Sequence, residues 1–408
     1  MSISMKAFNR TSIGHNHIRV NKVCEDASGS YTSDTMTIAV VADGHGSDNY
    51  PRTEIGSRFA VQAAMNCVKE FMERIAPDEL NNEINHSTIF AQLSKSILSA
   101  WHTLVEDDCT ENPFSESELA VVADKYKKYY QSGENAAKAY GTTLIIIGAT
   151  IEYWFGLHIG DGKCVSVDKE GNFSQPIPWD DNCHSNITTS ICDSDASDEF
   201  RYFVSKEIPL AVFIGTDGID DSYSGNDELD SFYRSVLTIF GEHGFEVGCD
   251  EVEKYLPTLS QRGSGDDVSI AGILNIEKIA ASVDLLKAQN EYNAALLLKS
   301  KAANSLLSTK ERMEKANAIA ISETKANSVD TITKLEKAKE DYAKSQRDYD
   351  EAEAAFRLAE QKLTAFQNMK NDVSNEVEKE PHDILRECKT SVTEHSMENV
   401  QGPDANLQ

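Results

Sequence analysis

Basic side chains are scarce in this chain of 408 residues: 39 Lys and Arg face 67 Asp and Glu, for a formal net charge of -28. So acidic a protein repels a phosphate backbone, and no Lys/Arg stripe offsets the repulsion, which excludes nucleic acid as a partner. Long apolar runs are missing too. No stretch approaches the roughly 18 apolar residues of a membrane span, and residues 1–10 lack the apolar core of a secretory leader. The eight cysteines include no C-x-x-C pair and no zinc-like spacing, so they read as reduced thiols and the expected location is cytoplasmic. Three catalytic signatures are also absent: the G-x-S-x-G elbow, the C-x5-R loop and the P-loop. Hydrolysis through a Ser or Cys nucleophile therefore has no support in the sequence.

Gly and Pro disappear together between residues 273 and 380, whereas both punctuate everything before. Two architectures meet near Asn275. The first, residues 1–275, alternates β-branched apolar runs with amphipathic segments. Residues 37–42, 142–149, 153–159, 210–215 and 268–274 read as strands. Val61, Met65, Val68, Met72 and Ile75 recur at helical spacing, as do Phe90, Leu93, Ile97, Trp101 and Leu104. Short links around 149–152 and 161–163 suggest hairpins, so the expected class is α+β with antiparallel sheets flanked by helices.

The second architecture, residues 276–371, is rich in Ala, Lys, Glu, Leu and Gln. Leu335, Tyr342, Tyr349, Phe356 and Leu363 recur every seven residues, with Ala338, Ser345, Ala352, Ala359 and Phe366 three positions on. This large-then-small seam predicts a coiled coil in close antiparallel contact, turning near Asn327-Ser328. Upstream, Ile279, Val283, Leu286, Leu297 and Leu307 form a poorer seam that Asn290, Asn293 and Asn304 interrupt. Self-association and partner docking are the two uses such a coil suggests, beside that of a plain spacer. Residues 372–408 lack a sustained apolar period and read as a disordered acidic tail.

The chemistry concentrates where strands end. Ala42-Asp43-Gly44, Gly160-Asp161-Gly162 and Thr216-Asp217-Gly218 each close an apolar run, and Gly265-Asp266-Asp267 opens another. One Asp-Gly after a strand is ordinarily a turn. Three, with Glu25-Asp26 upstream, instead suggest carboxylates gathered for hard divalent cations such as Mg2+ or Mn2+, which take oxygen ligands and keep several waters. Two such ions sharing an Asp can activate a water and clamp a phosphoryl group.

These motifs, in this order over about 260 residues, resemble the metal-dependent (type 2C, or PPM) protein phosphatases, with a flavour closest to the bacterial branch. The matching segments are Cys24-Glu25-Asp26-Ala27, Ala42-Asp43-Gly44-His45-Gly46, Tyr140-Gly141-Thr142-Thr143, Gly160-Asp161-Gly162, Thr216-Asp217-Gly218-Ile219-Asp220-Asp221 and Gly265-Asp266-Asp267. The resemblance implies a four-layer α-β-β-α sandwich that hydrolyses phosphoserine and phosphothreonine in phosphoproteins. It implies Asp43 bridging two ions, the Gly44 carbonyl completing one shell, and Asp217 and Asp266 as further ligands. Glu25 and Asp26 would act directly or through water, His45 would protonate the leaving alkoxide, and Asp161 and Asp221 with Asp217 would hold a weaker third ion. Asn21 stands where many relatives place a phosphate-binding Arg, leaving Arg19 and Lys22 as candidates. Outside the resemblance, His15, His17 and His158 read as surface or core-rim histidines, and Asp180, Asp181, Asp220 and Asp267 as solvated loop carboxylates. The competing reading is a catalytically inactive phosphatase-fold regulator or scaffold acting through its coil; a small-molecule phosphatase is a third.

Overall fold

The computed structural model describes residues 4–133, 135–183, 187–322 and 329–390. Its strands are β1 (Met5–Ser12), β2 (Ala27–Thr32), β3 (Thr37–Ala42), β4 (Leu144–Ala149), β5 (Trp154–Ile159), β6 (Lys163–Val167), β7 (Phe173–Ser174), β8 (Arg201–Ser205), β9 (Ala211–Gly215) and β10 (Val268–Asn275). Its α-helices are α1 (His15–Val20), α2 (Thr53–Arg74), α3 (Glu83–Glu111), α4 (Glu116–Val121), α5 (Asp124–Ser132), α6 (Ala196–Glu199), α7 (Asp217–Asp220), α8 (Asn226–His243), α9 (Phe245–Arg262), α10 (Ile276–Ser322) and α11 (Val329–Thr390). Among these, no helix is long and apolar enough to cross a membrane.

The strands make two antiparallel sheets, ordered β1-β10-β9-β6-β7 and β2-β3-β4-β5-β8. Alternation explains why their central strands read as unbroken apolar runs. In β4, Ile145 and Ile147 face the other sheet, beside Val41, Val212, Ile214 and Ile273. Leu144 and Ile146 face outward, onto a core shared with α2 and α3. In β9, Val212 and Ile214 point inward, while Ala211 and Phe213 meet α8 and α9. Both faces of each sheet are therefore buried, and the four layers expected from the sequence are present. Period-two patterning vanishes because neither face is wet.

Two expectations about links and faces meet different fates. The β4–β5 link is a hairpin, closed by Thr150 N–H donating to the Tyr153 carbonyl at 2.8 Å. The link at 161–163 is not a hairpin: β5 pairs with β4 and β8, whereas β6 pairs with β7 and β9, so the chain changes sheets there. On α2, the deeply buried stripe is Gly56, Ala60, Ala63, Ala64, Val68 and Met72, with Val61 and Met65 at its edge. Small residues let this helix lie close to the sheet.

The chain falls into two compact units, the first running from the N-terminus to Lys287. The start of α10 thus belongs to the unit of the sheets, with Ile279 and Leu286 buried in the core beneath α8 and α9. That is why the upstream seam looked poor: these side chains serve another core. In the second unit α10 and α11 lie antiparallel. Lys362 pairs with Glu291 at 2.6 Å, the Tyr292 and Phe356 rings stand 5.3 Å apart, and Ser305 meets Ser345 at 3.3 Å. On α11, every seam position from Leu335 to Phe366 is wholly or partly buried, while nearly all others are exposed. On α10 the facing seam is Tyr292, Ala295, Lys299, Ala302, Leu306 and Thr309, and the anticipated Leu297 and Leu307 point to solvent instead. The turn expected at Asn327-Ser328 lies outside the described residues; of the tail expected to be disordered over 372–408, the part up to Thr390 continues α11 and the part beyond it lies outside the described residues.

Candidate active site

The two sheets bring their strand ends together at one edge. Asp43 follows β3 and Asp217 follows β9, and their carboxyl groups lie within hydrogen-bonding reach of each other. Burial pushes the Asp43 carboxyl well above its usual range, with the charges of Asp217 and Asp26 adding to it. Burial likewise raises Asp217 to about 7, helped by Asp161, Asp266 and Asp221, with Asp43 opposing the rise. Asp26, just before β2, is buried and raised by that burial, then by Asp267 and Asp217; Thr216 Oγ1 donates to it at 2.8 Å. Asp161 is raised by burial too, with Asp221 among the charges pressing on it. Asp26, Asp43, Asp161, Asp217, Asp221 and Asp266 thus form one field of mutual repulsion.

The three Asp-Gly steps share a physical reason. None of these glycines has a positive φ. Each lies where a Cβ would collide with neighbouring backbone: Gly44 with the Glu25 carbonyl, Gly162 with the Gly215 carbonyl, Gly218 with the Asp267 carbonyl. Glycine here lets strand ends from different segments touch, and the preceding carboxylates converge as a result. The Asp43 backbone is clamped in turn. Its carbonyl accepts from Thr142 Oγ1 and Thr143 N–H, each at 2.8 Å, and its N–H donates to Thr143 Oγ1 at 3.1 Å.

Asp267 is a correction. Instead of a solvated loop carboxylate it is 3% exposed, accepts from the N–H groups of Gly14 at 2.5 Å and Glu25 at 2.6 Å, and stands 3.0 Å from His17 Nδ1. Burial would raise its pKa, but these partners outweigh burial and lower it. His17 takes the core-rim alternative of the two expected, partly buried within 4.0 Å of Glu25, Asp266 and Asp267, and its pKa is raised chiefly by Asp267. Asp220 is partly buried against Lys163 at 2.9 Å, and Asp180 is buried beneath Thr189 and Arg201. His158 is enclosed on β5 and held neutral by burial. Asp181 is exposed as expected.

Not all the candidate residues join the carboxylate field. Glu25 faces Lys22 at 2.8 Å, with His17 and Asp267 as its other charged neighbours; burial raises its pKa and Lys22 opposes the rise. Lys22 also donates to the Gly46 carbonyl at 2.9 Å, which puts this cation, and not the exposed Arg19, beside the site. His45 is lowered to about 4 by burial and then by Lys138, against Asp193. Its ring packs edge-on against Tyr50, 4.8 Å between centroids. Tyr50, Lys138 and Asp193 were not singled out from sequence, since neither their types nor their spacing forms a recognisable pattern.

Among the described residues, no group of three or more His, Cys, Asp or Glu side chains is arranged as a closed metal site. The donor set nonetheless fits hydrated Mg2+ or Mn2+, which hold carboxylates partly through water and need no close protein cage. Carboxylates raised by burial, and further by one another's charge, are the groups a divalent charge would return to the ionised state.

A family model described as Protein phosphatase 2C matches residues 13–258, more than half of the chain, and the chain belongs to that family of metal-dependent serine/threonine protein phosphatases, which act on phosphoproteins. No curated protein matches it. Similar solved structures include a bacterial serine phosphatase (16% identity, 66% of this chain and 97% of that one, TM-score 0.42). Others are Stp1 from Staphylococcus aureus (15%, 67% and 96%, 0.42) and the catalytic domain of the serine/threonine protein phosphatase PstP in complex with two manganese ions (15%, 66% and 97%, 0.40).

Proposed function

We propose that the chain is an active phosphatase that hydrolyses phosphoserine and phosphothreonine esters with two divalent ions, Mn2+ or Mg2+, as cofactors. The observation that carries the reading is the convergence of Asp43 and Asp217, at the ends of β3 and β9, with four further aspartates around them. Asp43, Asp217 and Asp266 would hold the ions with the Gly44 carbonyl, Asp26 and Glu25 would contribute directly or through water, and Asp161 and Asp221 would serve a weaker third ion. When bound, the ions supply Lewis-acid activation of the attacking water and neutralise phosphoryl charge.

The chain's own residues do the rest. Lys22 stands beside the cluster as the cation available to phosphate, in place of an Arg at position 21. As water oxygen bonds to phosphorus, the ester P–O bond breaks and the leaving alkoxide takes a proton, which His45 delivers. The ring is neutral in this environment, so its proton would be secured by the dianionic ester itself. An intact set of converging, mutually repelling carboxylates, with Asp26 buried and Asp43, Asp161 and Asp217 partly so, favours this reading over an inactive scaffold, because such a set destabilises the fold unless a cation uses it.

Phosphate release from phosphoserine, phosphothreonine and phosphotyrosine peptides with manganese or magnesium provides the test. Release from the first two is expected, with Asp43→Asn reducing it at least about a hundredfold. A metal-loaded parent that releases no phosphate, or an Asp43→Asn variant as active as the parent, overturns the reading.

A further inference from the structure

A second cluster stands behind His45. The His45 and Tyr50 rings both lean on the bare backbone of Gly141, where an added Cβ would lie 2.6 Å from His45 Cδ2 and 2.7 Å from Tyr50 Cδ1. His45 N–H donates to the Gly141 carbonyl at 3.1 Å, which fixes the backbone from which the ring hangs. Lys138 Nζ lies 5.4 Å from the Tyr50 ring centroid and donates to Asp193 at 2.8 Å. Asp193 belongs to the long irregular segment between β7 and β8, and its other oxygen accepts from Ser190 N–H at 3.1 Å. That segment is tied to Thr142 twice, through Ile191 N–H and Ser190 Oγ, both at 3.1 Å. Thr142 is the residue whose hydroxyl holds the Asp43 carbonyl.

Resting on the phosphatase reading above, we propose that Tyr50, Lys138 and Asp193 are positioning residues that fix the His45 ring for proton delivery to the leaving serine or threonine oxygen. Tyr50 bounds one side of the imidazole, and Lys138 holds Tyr50 in place. Asp193 anchors Lys138 to the segment that also braces Asp43. Proton donor and strand-end aspartate are thereby held by one loop. An imidazole free to turn would lose the alignment that proton transfer demands, and misplacement by about 1 Å costs roughly a hundredfold.

The leaving group separates this role from plain structural support. A phosphoserine peptide expels an alkoxide that needs a proton, whereas p-nitrophenyl phosphate expels a phenolate that does not. With manganese-loaded enzyme, Lys138→Met and Tyr50→Ala should lower kcat on the peptide about tenfold to a hundredfold further than on p-nitrophenyl phosphate. Lys138→Arg should recover most of the loss, and Lys138→Met should add little once His45→Gln is present. Tyr50→Phe keeps the ring and should lose only a fraction, which covers the case in which Tyr50→Ala fails to fold. Equal losses on both substrates, or losses that multiply in the His45→Gln background, overturn the proposal. A parent inactive on both substrates overturns the phosphatase reading with it, so the two failures are distinguishable.

Discussion

Adjacent residues can have opposite fates, as Asp266 and Asp267 demonstrate. The Asp266 side chain is 56% exposed, whereas Asp267 is enclosed and accepts from two backbone N–H groups beside His17. Removing a buried, fully partnered charge leaves its donors unsatisfied and typically costs about 3–5 kcal/mol, whereas an exposed carboxylate costs about 0.5 kcal/mol or less. Asp267→Ala is therefore expected to lower stability in urea unfolding by about 3 kcal/mol, and Asp266→Ala to leave the midpoint nearly unmoved. Equal midpoints for the two variants would count against this division. The sequence could not reveal it, because an Asp-Asp pair after glycine gives no sign of which carboxylate turns inward. What it did carry was the Asp-Gly recurrence. Glycine is demanded wherever strand ends touch, so composition recorded the convergence even though the partner of each glycine came from a distant segment.

At the scale of elements, strands buried on both faces were the most legible, since β3, β4, β5, β9 and β10 are nearly pure apolar runs. β2 and β8 were missed because their residues are only partly buried and largely polar or aromatic. The helical supports around the site depend on a polar device that no periodicity reports. Arg52, 4% exposed at the start of α2, donates to Glu118 of the α4 capping box at 2.6 Å and to the Tyr140 hydroxyl at 2.7 Å, and it pairs with Asp108 of α3 at 3.2 Å. Burial alone would raise the Glu118 carboxyl, but Arg52 and Ser115 outweigh it and pull the pKa down to about 2. A group depressed on folding contributes stability above its unfolded pKa, here about 4.5, and loses it as pH falls toward the folded value. Stability should thus fall by on the order of 2–3 kcal/mol between about pH 5 and pH 2 through this group alone. Urea unfolding of Glu118→Gln should show a shallower decline over that window; an identical pH dependence would remove Arg52–Glu118 from the account.

For the whole molecule, the change in composition near residue 275 and the change in packing do not coincide. Gly and Pro stop where β10 hands over to α10, yet the unit of the sheets continues to Lys287. Helix propensity is set residue by residue, so it marks where the helix starts and is blind to which core the helix first serves. Ile279 and Leu286 are both 0% exposed in the core under α8 and α9. Burying two such side chains contributes about 4 kcal/mol, which for a unit of this size corresponds to roughly 10 °C in Tm. A chain ended after Asn275 should therefore melt on the order of 10 °C below one ended after Lys287. The longer truncation should keep the melting temperature and the metal-dependent phosphate release of the sheet-bearing unit in the full chain. Scanning calorimetry on the two truncations decides the matter. Equal melting temperatures would mean that the first turns of α10 add nothing to the sheet-bearing unit, and that the coil begins where glycine and proline end.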